Sequence, residues 1–120
     1  MLERLREMRE RRRAGAEIDA LSQRDLDETG LSRGALHAVA GAPAAVVVRQ
    51  GRMAERFGLT EVDFRFNRQD FAAILAQCAS CRSAAACARF LDDPQATAAE
   101  ARFCPNRDLY LVLARPAAAV

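Results

Sequence analysis

Four cysteines, Cys78, Cys81, Cys87 and Cys104, are the side chains best suited to chemistry in this 120-residue chain. They form C-x2-C-x5-C-x16-C, entirely within the second half. Thiolates are soft donors for zinc and for iron–sulfur clusters, and in a reducing compartment such a set binds metal more readily than it forms disulfides. Zinc would take the four sulfurs as a tetrahedron with C-x2-C as one half-site. A second close pair usually completes such a site, whereas Cys87 and Cys104 lie far apart in sequence. A [4Fe-4S] cluster also takes four thiolates and tolerates wider spacing, and its ligands recurrently precede proline, as Cys104 precedes Pro105. Scattered cysteines can simply act as small buried hydrophobes, but that reading is poor for four of four when two form a C-x2-C pair. The residues therefore favour a [4Fe-4S] cofactor held by all four cysteines. Zinc is the alternative, and redox-active or structural thiols are the remainder.

The elements that must position these thiols read as helices throughout. Phe71, Ile74, Leu75 and Cys78 recur at i, i+3, i+4 and i+7 behind Asn67 and Asp70, which resemble a cap. Ala84, Cys87, Ala88 and Leu91 repeat the spacing, so Cys78 and Cys87 should face inward, and Asp92-Asp93-Pro94 should end that helix. Cys81 falls in the intervening turn, which is hard to bury and should be the open edge of the site. The connector from Pro94 to Arg102 offers little apolar anchoring, with a short helical piece near Glu100. Pro105-Asn106 should start a last helix with Leu109, Val112 and Leu113 inward, its amides and dipole favouring a thiolate at Cys104. The tail from Pro116 reads as loose.

Upstream, Leu2, Leu5 and Met8 make a thin apolar stripe on an arginine-rich first helix, and Ala14-Gly15-Ala16 reads as a break. Ser22 and Ser32 are expected to cap two short helices, the first ending at a left-handed Gly30 and the second near Ala40. Pro43 opens a longer helix through about Phe57, closed by Gly58. Only Val62 to Phe66 alternates like a strand, and one strand makes no sheet. The expected fold class is all-α: a bundle of short helices, with residues 1–58 as an N-terminal segment and 59–120 as the four-cysteine segment, packed as one unit.

Composition narrows the function classes. Hydrophobic residues are 51% and charged residues 28%, which excludes a disordered or collagen-like chain. No apolar run approaches the roughly 20 residues of a membrane span, and the charged N-terminus does not look like a secretory signal, so a cytoplasmic location is expected. All 18 basic residues are arginine, read here as nucleotide composition, and the net charge is only +2. Arg4, Arg6, Arg9, Arg11, Arg12 and Arg13 concentrate positive charge at the start; a solvated terminal helix is the favoured reading, and nucleic-acid contact with a salt-sensitive affinity is the functional alternative. Ser22 to Ala40 has a helix–turn–helix look with a thin reading set (Arg33, Gly34, His37), and packing on the second half is the better reading. The lone His37 reads as a surface or satisfied histidine. Arg82 and Arg89 could offset thiolate charge. No Ser-His-Asp order, glycine-rich phosphate loop or carboxylate pair is present, so no enzyme is expected.

Residues 53–113 carry a further signal in Met53 to Leu59, Cys78-Ala-Ser-Cys81, Cys87 to Leu91 and Phe103-Cys-Pro-Asn106. They resemble a small bacterial domain family of unknown function with the pattern C-x2-C…C…(F/Y)-C-P-N. Residues 17–36 are similar to a second uncharacterised motif of very small arginine-rich bacterial proteins, with Thr29 where an isoleucine is typical. Neither resemblance implies a catalytic residue. The functional expectation is therefore a non-enzymatic iron–sulfur protein acting as a redox or oxygen sensor, accessory factor or electron carrier, with a protein partner. A zinc-stabilised nucleic-acid-binding adaptor is the alternative.

Overall fold

The Ser22 hydroxyl accepts the Asp25 amide at 3.1 Å, and the Asp25 carboxylate accepts the Ser22 amide at 3.0 Å. That reciprocal cap starts α2 (Gln23–Thr29), and Gly30, at φ 73°, ends it in the left-handed conformation expected of glycine. Ser32 caps α3 (Arg33–Gly41) one way only, its hydroxyl accepting the Ala35 amide at 3.0 Å. They follow α1 (Leu2–Asp19) and precede α4 (Ala44–Arg56), α5 (Glu61–Arg65), α6 (Arg68–Ala79), α7 (Ala84–Asp92), a 3-10 turn (Ala98–Glu100) and α8 (Arg107–Leu113). The computed structural model describes residues 1–115, and the tail from Pro116 lies outside them. Among the described residues there is no strand, so the all-α expectation stands.

Five local expectations are corrected. Gly15 does not break α1, because one glycine costs only about 1 kcal/mol in a helix held by packing, and α1 lies along α3. The face that α1 turns inward is Glu7, Arg11, Ala14, Gly15 and Ile18, whereas Leu2, Leu5 and Met8 are exposed. Small residues at the contact let two helices approach, and Leu2 and Leu5 lie on the opposite side of α1 from that contact. Val62 to Phe66 is helical rather than extended, since the Asp63 carboxylate accepts the Thr60 amide at 2.8 Å and caps α5. Asn67 makes no side-chain cap with α6; its amide reaches back to the Asp63 carbonyl. In α8 the inward residue is Tyr110, with Leu109 and Leu113 half-buried and Val112 exposed.

Met53, Leu59, Ile74, Leu75 and Tyr110 are the largest fully buried side chains, and all but Leu75 belong to the main core cluster, where α4 packs on α6 and α7. A second cluster, Leu31, Ala35 and Ala72, fastens α3 to α6. Arginines close the helix ends around these cores. Arg49 donates to the Cys78 carbonyl at 2.8 Å and Arg52 to the Leu91 carbonyl at 3.0 Å. Arg56 holds the carbonyls of Leu91, Asp93 and Ala96 at 3.0, 3.0 and 2.9 Å, and lies over the Phe90 ring. Arg33 holds those of Ile18 and Leu21. The last carbonyls of a helix lack intrahelical partners and carry its negative end, so a guanidinium fork satisfies several at once where an ammonium would not. Arginine is thus structural here, beyond any compositional bias. The connector after Pro94 is also better anchored than expected, by Arg56 and by buried Ala96 and Ala101.

Tyr110 allows a direct check of this core. It is the sole tyrosine, and there is no tryptophan. Its ring stacks at 5.0 Å on Phe57, and its hydroxyl accepts from Gln50 at 3.3 Å. Burial pushes its pKa well above the ordinary 10, with the Gln50 hydrogen bond opposing. A raised value means that the folded state keeps a proton the unfolded state loses. The contribution to stability is therefore complete below about pH 10 and disappears as pH climbs toward the folded value. Phenolate absorbance should stay silent past pH 10 and rise together with loss of helical circular dichroism. Titration near pH 10 with the helices intact would place Tyr110 in water.

Candidate metal centre

Cys78 sits in the last turn of α6, Cys81 in the turn that follows, Cys87 in α7, and Cys104 in the turn before α8. The chain bends by 105° between α6 and α7, which brings Cys87 back beside Cys78. All four side chains line one small cavity of about 20 Å³, together with Arg49 and Met53 from α4 and with Phe103 and Pro105. All are free thiols, Cys87 buried and the other three half-buried. Among the described residues no three His, Cys, Asp or Glu side chains come close enough together to hold a single metal ion. The thiols therefore share a cavity without converging on a point.

The surroundings of the sulfurs are polar where they need to be. Asn106, itself buried, donates through its side-chain amide to the Ile74 carbonyl at 3.1 Å and to the Cys78 sulfur at 3.3 Å. The Ser83 amide donates to the Cys81 sulfur at 3.3 Å. Burial pushes the Cys78 thiol up to about 11, reinforced by Cys104, Cys81 and Cys87 and opposed by Arg49. Burial also raises Cys87, against Arg49 and Arg52, and raises Cys104, against the amides of Asn106 and Arg107. The cause common to all three is desolvation of a charged sulfur, and the opposing groups are cations and N–H donors aimed at the same atoms.

Cys104 also lines a solvent-facing dent of about 400 Å³ with Arg102, Pro105, Arg107 and Asp108. The Nε of Arg107 there is buried without a partner. Sequence reasoning expects the open edge at Cys81, yet Cys81 is no more exposed in class than Cys78 or Cys104, and the dent reaches Cys104. Sequence reasoning also misses Arg49, Met53 and Asn106. The available signal is the row Arg49, Arg52 and Arg56 at i, i+3 and i+7 of α4, which runs beside the buried residues Val46, Gln50 and Met53. Arg82 and Arg89, the charges expected near the thiols, are exposed and do not line the cavity.

The remaining candidates fall elsewhere. Arg4, Arg6, Arg9, Arg12 and Arg13 are exposed on α1, whereas Arg11 is half-buried and paired with Glu7 at 3.3 Å. His37 is satisfied by Asp19 at 2.6 Å, and Arg33 is spent on the end of α1, so the helix–turn–helix face keeps no reading set. A larger cleft of about 750 Å³ between α3, α4 and α5 is mainly apolar, with Glu55, Glu61, Arg65 and Arg68 among its lining residues. Among the described residues no single helix is long and apolar enough to cross a membrane.

A family model described as a family of unknown function (DUF6455) matches residues 44–116. The match begins at α4, so it takes in all four cysteines and Arg49 and leaves out the 17–36 motif. No curated protein and no solved structure matches the chain.

Proposed function

We propose that this chain, which belongs to the DUF6455 family of unknown function, is a non-enzymatic iron–sulfur protein that holds a [4Fe-4S] cluster on Cys78, Cys81, Cys87 and Cys104. The observation that carries the reading is the single cavity lined by all four thiols. The donor set fits the group: four sulfurs, no carboxylate among the cavity's lining residues, and a guanidinium from Arg49 to offset anionic charge. Zinc would need its sulfurs about 3.8 Å apart around one ion, whereas a four-iron cluster separates its thiolates more widely, in keeping with thiols that share a cavity without meeting. A space of about 20 Å³ is roughly one water in size. Cys81 and Cys104, both on turns, are the ligands able to give way to a larger group.

When bound, the cluster supplies one-electron chemistry. This chain's own contribution is to hold and tune it. Asn106 and the Ser83 amide donate to sulfurs, which would raise the reduction potential of a bound cluster, and Met53 and Phe103 would give it apolar walls. The dent at Cys104 is the side an oxidant or an electron-transfer partner would approach, which suits a redox or oxygen-responsive role.

Reconstitution without oxygen tests this. Ferrous iron and sulfide should yield a brown protein holding about four of each per chain, bleaching in air. A colourless protein carrying one tightly held zinc would overturn the reading in favour of the zinc-stabilised adaptor.

A further inference from the structure

The first helix presents a surface for which the metal reading has no use. The face of α1 made by Glu7, Arg11, Ala14, Gly15 and Ile18 is half-buried against the body. There Glu7 accepts from Arg11 and, at 3.4 Å, from the Ala44 amide. At about 100° per residue, the opposite sector collects Leu2, Leu5, Arg6, Arg9, Arg12, Arg13 and Ala16. All seven are exposed, and none of α1's acids falls among them. Glu3, Glu10 and Glu17 are swept to one flank, Glu7 points inward, and Asp19, on the other flank, is held by His37. Arg6, Arg9 and Arg12 make no ion pair among the described residues. Arg13 has only a loose, exposed contact with Glu17 at 3.6 Å.

We propose that this acid-free face of α1 binds the phosphate backbone of nucleic acid without selecting bases. Four guanidiniums spread over about 10 Å of helix axis can each engage a phosphate oxygen, and arginine's fork suits that anion. The sector carries no Asn, Gln, Asp or Glu side chain to read adenine or cytosine edges, and four arginines engaged on phosphates leave none to read guanine, so affinity comes from charge. A bilayer is the poorer match. A helix lying on lipid needs its apolar residues segregated, and here the two leucines alternate with the arginines, so seating one would bury the other. Arg11 and Arg4 drop out of the expected set: Arg11 is bound to Glu7, and Arg4, seven residues before it, shares its side of the helix. This proposal is independent of the cluster.

Fluorescence anisotropy of the full chain with a short labelled DNA duplex and a single-stranded RNA of the same sequence tests it. With four phosphates neutralised, the duplex affinity should fall about 150-fold between about 50 and 200 mM salt, and the RNA affinity somewhat less. The tighter of the two at equal salt shows which nucleic acid the face prefers. The variant R6Q/R9Q/R12Q/R13Q, checked for unchanged helicity by circular dichroism, should lose nearly all binding and its salt slope. R24Q/R65Q should keep both. Binding that survives the fourfold variant would overturn the proposal, as would no binding at about 50 mM salt. Preferential binding to phosphatidylglycerol vesicles would also overturn it, and make the face a membrane surface.

Discussion

Arg56→Met should lower the stability of this chain by about 3 kcal/mol and its urea midpoint by about 2 M, with no change in slope. Three carbonyls at the end of α7 and just beyond, those of Leu91, Asp93 and Ala96, lose their donor together, and the stack on Phe90 goes with them. A hydrogen bond from a charged group is worth about 1.5–3 kcal/mol. Part of the site faces solvent, so water re-satisfies some of the loss and the lower figures apply. Methionine retains the aliphatic packing, which isolates the guanidinium. Arg56→Lys should recover less than half, since one ammonium cannot span three carbonyls. A loss below about 0.5 kcal/mol would show that water serves these carbonyls equally well.

How much of the fold the sequence reveals depends on where its signals are local. Ser22, Gly30, Ser32, Pro43, Gly58 and Asp92-Asp93-Pro94 act within one or two turns, and each marks a boundary that the structure has. What the sequence conceals is set by tertiary contacts. The leucine stripe of α1 looks like a core face, but no neighbour meets it, and the helix docks through residues with no hydrophobic period. Val112 and Tyr110 trade places in α8 because Gln50, sixty residues upstream, offers the Tyr110 hydroxyl a partner. No window within α8 contains that fact.

The candidate centre divides the same way. Four thiols in one half of the chain are legible, and their helical spacing correctly places Cys87 inside. The second layer is not. Arg49 reaches the thiols across a helix crossing, and its guanidinium looks, in sequence, like any other in an arginine-only chain. Arg82 and Arg89 attract attention because they adjoin cysteines, yet adjacency on a helix or turn points side chains apart. The useful pattern is the arginine row on α4, a charged stripe beside buried residues, which signals cations with work to do at helix ends.

Cys87→Ala separates a ligand from a buried thiol by its dependence on iron. Cys87 belongs to the main core cluster at 8% exposure. In metal-free protein its replacement removes one sulfur from a packed site, a cost of about 1 kcal/mol, and the chain should remain folded. On the proposed function, loaded wild-type protein should gain the binding free energy of the cluster, about 4 kcal/mol when free ligand exceeds its dissociation constant 1,000-fold. For a chain of this length that raises the melting temperature by roughly 15 °C. Three thiols and an alanine should forfeit that increment, so the gap between wild type and variant should be a few degrees without iron and sulfide and near 20 °C with them. The comparison must be made without oxygen, because air would erase the wild-type increment as well. If wild-type protein takes up iron and sulfide while the gap stays the same in both states, Cys87 is a small hydrophobe of the core and no ligand.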